Sequence, residues 1–192
     1  MTNDSVQAYE SHAHEFTRCR SPSIGGDVVD RWARSLAPGA DVLELACGSG
    51  VPVTAALVGA GVTVSAIDAS PTLVAEFASR FPDVPVRCQR VQDGDWYDRS
   101  FAAVICIGLI FLLEEADQLA LIERVAAVLE PGGRFLFTAP VELGTWDDIL
   151  TGHPCRSLGV DRYRAALESA GFEVIDTLVD SGGNNHYDAI RP

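Results

Sequence analysis

The 192-residue sequence lacks the patterns that mark proteins acting on membranes or nucleic acids. No apolar run approaches the roughly 18 residues that a membrane-spanning helix needs. The first residues, from Met1 to Glu10, have neither the basic start nor the apolar stretch of a secretory signal. No basic cluster offsets the formal net charge of −13, which disfavours binding to nucleic acids and anionic membranes. We therefore expect a soluble, cytoplasmic protein with no membrane or nucleic-acid partner, which acts on a small neutral or cationic molecule.

The cysteine pattern excludes two further classes of protein. The five cysteines are odd in number and none belongs to a C-x-x-C pair, which argues against a disulfide framework and against a zinc site. We therefore expect no metal site. Three cysteines lie in apolar, strand-like runs and are interpreted as small buried hydrophobic residues; these are Cys47, Cys88 and Cys106.

Hydrophobic periodicity divides the chain into alternating strands and helices. We expect strands at 41–46, 62–67, 84–91, 101–107, 134–138, 172–179 and 187–190. Helices are expected at 6–19, 28–36 (capped by Asp27), 114–129 and 160–170, with two more after Gly50 and Ser70, and disorder at 1–5. Continuous apolar strands that alternate with helices predict an α/β fold, in which helices cover both faces of a mostly parallel sheet.

The length of the chain favours one domain over two. We expect residues 1–40 to form a helical cover and residues 41–192 to form the α/β core, with a long loop at 139–159. Ligands of such sheets bind at the carboxyl ends of the strands. The helical cover and the long loop are expected to enclose a site at that edge.

The stretch from Val42 to Gly50, VLELACGSG, predicts a buried strand followed by a tight turn and a helix. Gly48 and Gly50 lack a Cβ, so the backbone N–H groups of the turn can approach a ligand. The N-terminus of the following helix favours an anionic group. Glu44 is a carboxylate within an apolar strand, where it requires a partner. We interpret this turn as a cofactor site.

Asp68, at the end of the second expected strand, narrows the cofactor to an adenosine derivative. It follows Gly50 by 18 positions, and an acid at a neighbouring strand end can accept both hydroxyls of a ribose. The dinucleotide motif G-x-G-x-x-G has Val53 in place of its third glycine, and Glu44 would repel a pyrophosphate. Because Glu44 suits an ammonium or sulfonium group, electrostatics favours S-adenosylmethionine over a dinucleotide.

These segments resemble the class I S-adenosylmethionine-dependent methyltransferases of the small-molecule type. VLELACGSG, VSAIDAS, FAAVICIG and LEPGGRFLF occur in the family's order and spacing, from Val42 to about Phe137. The resemblance implies a three-layer, Rossmann-like sandwich whose seven-stranded sheet has an antiparallel last strand, with N-terminal helices covering the cofactor. It also implies an enzyme that binds S-adenosylmethionine and releases S-adenosylhomocysteine.

The resemblance assigns cofactor contacts to individual positions. They are Glu44, Ala46, Gly48, Gly50, Asp68, Ala69, Ser70, Val91, Gln92 and Ile107. In the family, the glycine turn cradles the methionine part, the acid at position 68 holds the ribose, and the positions after it flank the adenine. Ala46 stands where the family has its first glycine, and an alanine is tolerated there if its φ is negative.

The N-terminal segment from Tyr9 to Phe16, YESHAHEF, resembles the helix that covers the cofactor in small-molecule members. The resemblance places Tyr9 at the cofactor. Arg20 lies shortly after this segment. It either pairs with the methionine carboxylate, which a guanidinium binds well, or is solvated at a helix end.

Methyl transfer is an in-line displacement in which the cofactor supplies the reactive group and the protein supplies alignment. We predict transfer to an O, N or S nucleophile of a small molecule. His153 and His186 are the candidate general bases, needed only if the nucleophile must lose a proton. The pair Asp147-Asp148 is predicted to cap a helix or to form a solvated turn.

Two other functions stay open at this point. An NAD(P)-dependent oxidoreductase is disfavoured by Val53, by Glu44 and by the absence of a Tyr-x-x-x-Lys pair. A cofactor-binding module without catalysis is compatible with the uncertain base. The chain is expected to be a monomer or a homodimer.

Overall fold

The computed structural model of the protein describes residues 5–192 and contains a seven-stranded sheet. In chain order, the strands are β1 (Asp41–Leu45), β2 (Thr63–Asp68), β3 (Val86–Cys88), β4 (Phe101–Cys106), β5 (Leu129–Thr138), β6 (Leu143–Asp147), β7 (Pro154–Leu158), β8 (Glu173–Val179) and β9 (Asn185–Ile190). Seven of these strands form the sheet, and β6 and β7 form a separate pair. The strand order of the sheet is β3-β2-β1-β4-β5-β9-β8. All pairs from β3 to β5 are parallel, and β9 is antiparallel to both of its neighbours. The expected mostly parallel sheet with an antiparallel last strand is confirmed.

Helices lie on both faces of this sheet. They are α1 (Ser5–Ser11), α2 (Ala13–Cys19), α3 (Gly26–Ala33), α4 (Val53–Gly59), α5 (Pro71–Arg80), α6 (Glu115–Val128) and α7 (Val160–Ser169). Because successive strand residues point to opposite faces, Val42 of β1 joins an apolar cluster with α3 and α4, while Leu43 joins the cluster of α6 and α7. The result is a three-layer, Rossmann-like sandwich. Within residues 5–192, no helix is long and apolar enough to cross a membrane.

The N-terminal cover differs from its expected form. The expected helix at 6–19 is interrupted at His12, whose φ of −114° and ψ of 11° are not helical and separate α1 from α2. Helix α3 begins at Gly26, with Gly25 at its N-cap (φ 82°), so Asp27 lies in the first turn and is not the cap. Residues 1–4 of the segment expected to be disordered lie outside the described residues, and Ser5 already belongs to α1.

The segment expected to be a long loop at 139–159 contains a β-hairpin. Strands β6 and β7 pair antiparallel, from Leu143 opposite Leu158 to Asp147 opposite Pro154. Every residue of β6 is exposed, so this strand lacks the alternation of buried and exposed residues that marks a half-buried strand. The hairpin was missed for that reason.

The topology places the ends of β1, β2 and β4 at one edge of the sheet. Leu45, the last residue of β1, is in register with Ile67 of β2 on one side and with Cys106 of β4 on the other. The glycine turn, Asp68 and Ile107 directly follow these residues. The expected site residues from three separate motifs therefore meet at the carboxyl edge.

Candidate active site

A cavity of about 730 Å³ lies at this carboxyl edge, below α1, α2 and the tip of the β6–β7 hairpin. Its size is within the range of small-molecule sites. All but one of the expected cofactor residues line it: Tyr9, Arg20, Glu44, Ala46, Gly48, Asp68, Ala69, Ser70, Val91, Gln92 and Ile107. The exception is Gly50, and the two candidate bases are also not among the lining residues.

Asp68 is held by the backbone of the two loops that flank it. The N–H of Gly48 donates to Oδ2 and the N–H of Ser70 donates to Oδ1, each at 2.8 Å. Burial raises the pKa of Asp68, and these backbone donors oppose the rise. Each carboxylate oxygen accepts more than one hydrogen bond. Asp68 therefore fixes the glycine turn and can still receive hydroxyl groups from the cavity.

Gly48 and Gly50 are glycines for different reasons. Gly48 has a φ of 56° and lines the cavity. A Cβ on Gly50, whose φ is 85°, would lie 2.3 Å from the ring of Phe81. Such a contact is too short, so Gly50 is required by the packing of Phe81 under the turn. Its expected role as a direct cofactor contact has no support in its position.

Ala46 has a φ of 57° and lines the cavity. An alanine was expected to be tolerated at this position if its φ were negative, and the observed φ is positive. A left-handed conformation costs an alanine on the order of 1 kcal/mol. This cost gives a physical reason for the glycine that the resembling family carries at this position.

Glu44 is buried at the base of the cavity, with 2% of its surface exposed. Thr54 of α4 donates a hydrogen bond to its Oε2 at 2.5 Å, which supplies the partner that a carboxyl group needs in an apolar strand. Burial raises the pKa of Glu44 to about 8, Asp68 adds to the rise, and Thr54 and Arg20 oppose it. Near neutral pH the carboxyl group is mostly protonated, and a neighbouring cationic group would favour its ionised form.

Arg20 brings an unpaired cation to the same cavity. Its guanidinium lies over the ring of Phe16, 5.6 Å from the centroid, and no hydrogen bond or ion pair joins it to any residue between 5 and 192. Burial lowers the pKa of Arg20, while Tyr9, Glu44 and Asp180 oppose that effect. A partly buried guanidinium that has no hydrogen-bond acceptor within the described part of the chain is suited to a carboxylate ligand.

Ser70 joins the cavity wall to the N-terminal cover. Its Oγ accepts a hydrogen bond from the N–H of Leu73, which caps α5, and its hydroxyl donates to Glu10 of α1. Thr72 also donates to Glu10, at 2.6 Å. These bonds lower the pKa of Glu10. Sequence reasoning missed Glu10, because no local pattern connects an acid in α1 with the start of a helix 60 residues later.

The wall formed by Val91 and Gln92 is fixed from α6. Arg124 donates to the carbonyl oxygens of Val91, at 2.5 Å, and Gly94, at 2.6 Å, and its guanidinium lies over the ring of Trp96. Gln92 donates to Asp117 at 3.2 Å. The backbone of this loop is therefore held in place although the loop has no regular secondary structure.

His153 and His186 are buried in packing positions away from the cavity lining. Nε2 of His153 lies 3.2 Å from the carbonyl oxygen of Leu112, and therefore donates to it. Nε2 of His186 lies 3.1 Å from Oδ2 of Asp180, and burial lowers the pKa of this histidine. In this arrangement, neither ring has a nitrogen on the cavity surface.

The remaining part of the lining comes from residues that sequence reasoning did not identify. The segment after β4 contributes Leu109 and Phe111, and the hairpin tip contributes Asp148, Ile149 and Leu150. Oδ1 of Asp148 accepts hydrogen bonds from the backbone of this tip, which confirms the predicted turn. The position of the tip over the cavity depends on a hairpin with no recognisable strand pattern.

Three solved structures show the same fold. The glycopeptide N-methyltransferase MtfA is 24% identical, with a TM-score of 0.72 over 88% of this chain and 96% of that chain. The CcbJ methyltransferase from Streptomyces caelestis is 16% identical, with a TM-score of 0.78 over 97% of this chain and 98% of that one. CalS10, an amino pentose methyltransferase from Micromonospora echinaspora solved with S-adenosylmethionine bound, is 18% identical, with a TM-score of 0.72 and full coverage of both chains, 100% each.

Sequence comparison gives a family match for the central part of the chain. A search of curated protein sequences gave no significant match. Residues 42–133 match the family described as a methyltransferase domain. The matched segment runs from β1 to the turn within β5 and contains Glu44, the glycine turn and Asp68. The chain therefore combines a methyltransferase-domain match over its central segment with a seven-stranded sheet of the order found in solved methyltransferases.

Proposed function

We propose that the protein transfers the methyl group of S-adenosylmethionine to an O, N or S nucleophile of a small molecule, and that the residues lining the cavity hold the cofactor. Two of the similar structures are named as methyltransferases of a glycopeptide and of an amino pentose, which supports a small acceptor. The acidic chain, with a net charge of −13, and the absence of a basic surface cluster from its sequence disfavour a nucleic-acid acceptor.

The observation that carries the proposal is that a guanidinium and a buried carboxyl group line the same cavity. Arg20 presents an unpaired guanidinium and Glu44 presents a buried carboxyl group. The amino-acid end of S-adenosylmethionine carries a carboxylate and an ammonium group, and needs one partner of each charge. A dinucleotide has no such zwitterionic end. The residues present therefore fit this cofactor better than NAD.

The other lining residues would complete the cofactor site. Asp68 is placed to accept the ribose hydroxyls, since its oxygens retain free lone pairs beside the glycine turn. Ala69, Val91 and Gln92 would flank the adenine. Tyr9 would close the site from the cover. When bound, the cofactor supplies an electrophilic methyl group on a sulfonium.

We infer that the protein's own contribution to the reaction is alignment and exclusion of water. Apolar side chains of Leu109, Phe111 and Leu112 line the cavity after β4, where they exclude water from the acceptor. Holding two reactants in line provides a large part of a displacement barrier. Whether a proton must also be removed depends on the acceptor. A role of His153 or His186 as general base stays a prediction.

Calorimetric titration tests the cofactor assignment. We expect S-adenosylmethionine and S-adenosylhomocysteine to bind and NADH not to bind. Arg20→Gln should weaken binding of both by at least about tenfold, because it removes a charge-assisted interaction with the carboxylate. Arg18→Gln is the matched control, since Arg18 is exposed, does not line the cavity and, among residues 5–192, pairs with Glu15 on the same helix. Tight binding of NADH, or equal effects of the two variants, would contradict the proposal.

A further inference from the structure

Asp148 is a charged group of the cavity lining that the cofactor assignment does not use. It lies at the hairpin tip, where its Oδ1 accepts hydrogen bonds from the N–H groups of Leu150 and Thr151 and from the hydroxyl of Thr151. Among residues 5–192, Oδ2 receives only the hydroxyl of Tyr9, at a long 3.3 Å. One oxygen therefore fixes the turn, while the other, on a residue that lines the cavity, can accept a further donor.

The distribution of charge leaves Asp148 to the methyl acceptor. Glu44 lies on β1 and Asp68 at the end of β2, whereas the guanidinium of Arg20 lies beside Gly108 and is assigned to the carboxylate of the cofactor. Glu15 is paired with Arg18, at 3.8 Å. On the side formed by the segment after β4 and the hairpin tip, Asp148 is the acidic residue of the described lining. With Arg20 assigned to the cofactor, the free oxygen of Asp148 is left to a cationic group.

Tyr9 cannot neutralise this carboxylate. Burial raises the pKa of Tyr9 far above its ordinary value, and Asp148 adds to the rise. Tyr9 therefore stays protonated and acts as a hydrogen-bond donor at physiological pH. The pair joins α1 of the cover to the hairpin tip, at a place where a ligand can reach Oδ2.

The rest of this side of the cavity is apolar. Leu109 and Phe111 form the wall after β4, and Phe111 packs on Trp146 of the hairpin, with ring centroids 5.6 Å apart. Leu150 and the fully exposed Ile149 lie at the mouth. Walls of this kind bury an apolar body, while a few polar groups orient it.

We propose that Asp148 binds the methyl acceptor and that this acceptor is an amine carried on an apolar or aromatic body. The inference rests on the proposed function, because it assigns the second half of the same cavity. Asp148 acts as a specificity-determining residue: it attracts the ammonium form through Oδ2 and places the nitrogen between the apolar walls.

The chemistry of the transfer balances without a further reactant. The bound ammonium first releases one proton to water. The lone pair of the neutral amine then forms the N–C bond, while the S–C bond breaks and leaves its electron pair on sulfur. The product is a methylated ammonium, whose extra proton is lost to solvent. No oxidant or metal is required.

A matched panel of ligands tests the proposal on the full-length protein saturated with S-adenosylhomocysteine. The panel combines phenylethyl, cyclohexylethyl and naphthylmethyl bodies, each as the amine, the alcohol and the carboxylate. In calorimetry we expect at least one amine to bind about tenfold or more tightly than its alcohol and its carboxylate, as a charge-assisted hydrogen bond predicts. Asp148→Asn should remove this preference, because the amide keeps the turn-fixing oxygen but carries no charge.

Asp147→Asn is the control, because it makes the same charge change on an exposed neighbour that does not line the cavity. It should leave the amine preference unchanged. The proposal is overturned if no amine exceeds its alcohol, or if Asp148→Asn retains the preference. Binding of S-adenosylhomocysteine is measured first in all three proteins: its absence from the wild type would overturn the proposed function, whereas normal cofactor binding without amine preference would overturn this inference alone.

Discussion

At the residue scale, Ala46 occupies a backbone position that ordinarily selects glycine. Its φ of 57° places it in the left-handed region at the entrance to the glycine turn. The resemblance identified this residue as part of the site, but the sequence alone does not contain its backbone angle. The chain therefore retains backbone strain beside the loop proposed to bind the cofactor, and such strain is common at functional sites.

Replacing Ala46 by glycine should stabilise the protein. We expect Ala46→Gly to raise the free energy of unfolding by about 0.5–1 kcal/mol, because relief of the left-handed strain exceeds the added entropy of the unfolded chain. Ala60→Gly is the control: Ala60 has a φ of −81°, so the substitution should lower stability by a similar amount. Urea unfolding measures the free energy of unfolding of both variants. A loss of stability in Ala46→Gly would show that Ala46 is not strained.

Asp68 and His153 differ in how directly they contact the cavity. Asp68→Ala should weaken binding of S-adenosylhomocysteine by at least about tenfold, because it removes the proposed partner of the ribose and releases the N–H groups of Gly48 and Ser70. His153→Ala should leave this affinity within about threefold, since its ring bonds to Leu112 away from the lining. Titration calorimetry measures the affinity of both variants. Equal losses of affinity would refute the assignment of Asp68 to the cofactor site.

The candidate bases show where residue-level prediction reaches its limit. Most residues of the cavity lining that were proposed as cofactor positions could be predicted, because they lie in short segments next to strand ends, where the chain order fixes their location. His153 and His186 were selected by residue type and by their place in loops near the sheet edge. The direction of a buried ring depends on partners distant in sequence, such as Leu112 for His153, and that information is not local.

At the element scale, predictability follows the burial pattern of each strand. β4 is almost wholly buried and was recognised as a continuous apolar run. β3 is short and partly exposed, and its expected range of 84–91 was too long. β6 is exposed throughout, and the hairpin that it forms was predicted as a loop. The exposed elements, which enclose the side of the cavity proposed for the acceptor, are therefore the least predictable from sequence.

The cover element α1 depends on one polar anchor. Glu10 accepts hydrogen bonds from Ser70 and Thr72 at the start of α5. We expect Glu10→Gln to speed amide hydrogen exchange in residues 5–19 by several fold and to weaken binding of S-adenosylhomocysteine, because a charge-assisted anchor is lost. Glu123→Gln, on the exposed surface of α6, makes the same charge change and should have neither effect. Unaltered exchange in Glu10→Gln would show that packing alone holds the cover.

At the scale of the whole molecule, the buried carboxyl group of Glu44 connects stability to pH. Its pKa rises from an ordinary value of 4.5 to about 8 in the folded state, so the folded protein holds this proton more tightly than the unfolded chain. The stabilising contribution is complete below the ordinary value and is lost as the pH rises towards about 8. Asp68, whose pKa is also raised, acts in the same direction.

We therefore expect the wild-type protein to lose stability between pH 6 and pH 8, by up to about 1.4 kcal/mol per pH unit from Glu44. Glu44→Gln cannot ionise, so its stability should change less over the same range. Urea unfolding of both proteins at several pH values gives the slopes. Parallel slopes would show that Glu44 does not titrate in this range.

The affinity for the cofactor should depend on pH in the opposite sense to the stability of the free protein. If the ammonium of S-adenosylhomocysteine is bound beside Glu44, the complex favours the carboxylate, and binding near pH 7 releases a proton from the mostly protonated free protein. Affinity should therefore rise from pH 6 to pH 8. Calorimetry at pH 7 in two buffers of different ionisation enthalpy should detect release of close to one proton in the wild type and much less in Glu44→Gln. Equal proton release by both proteins would place the ammonium elsewhere in the cavity.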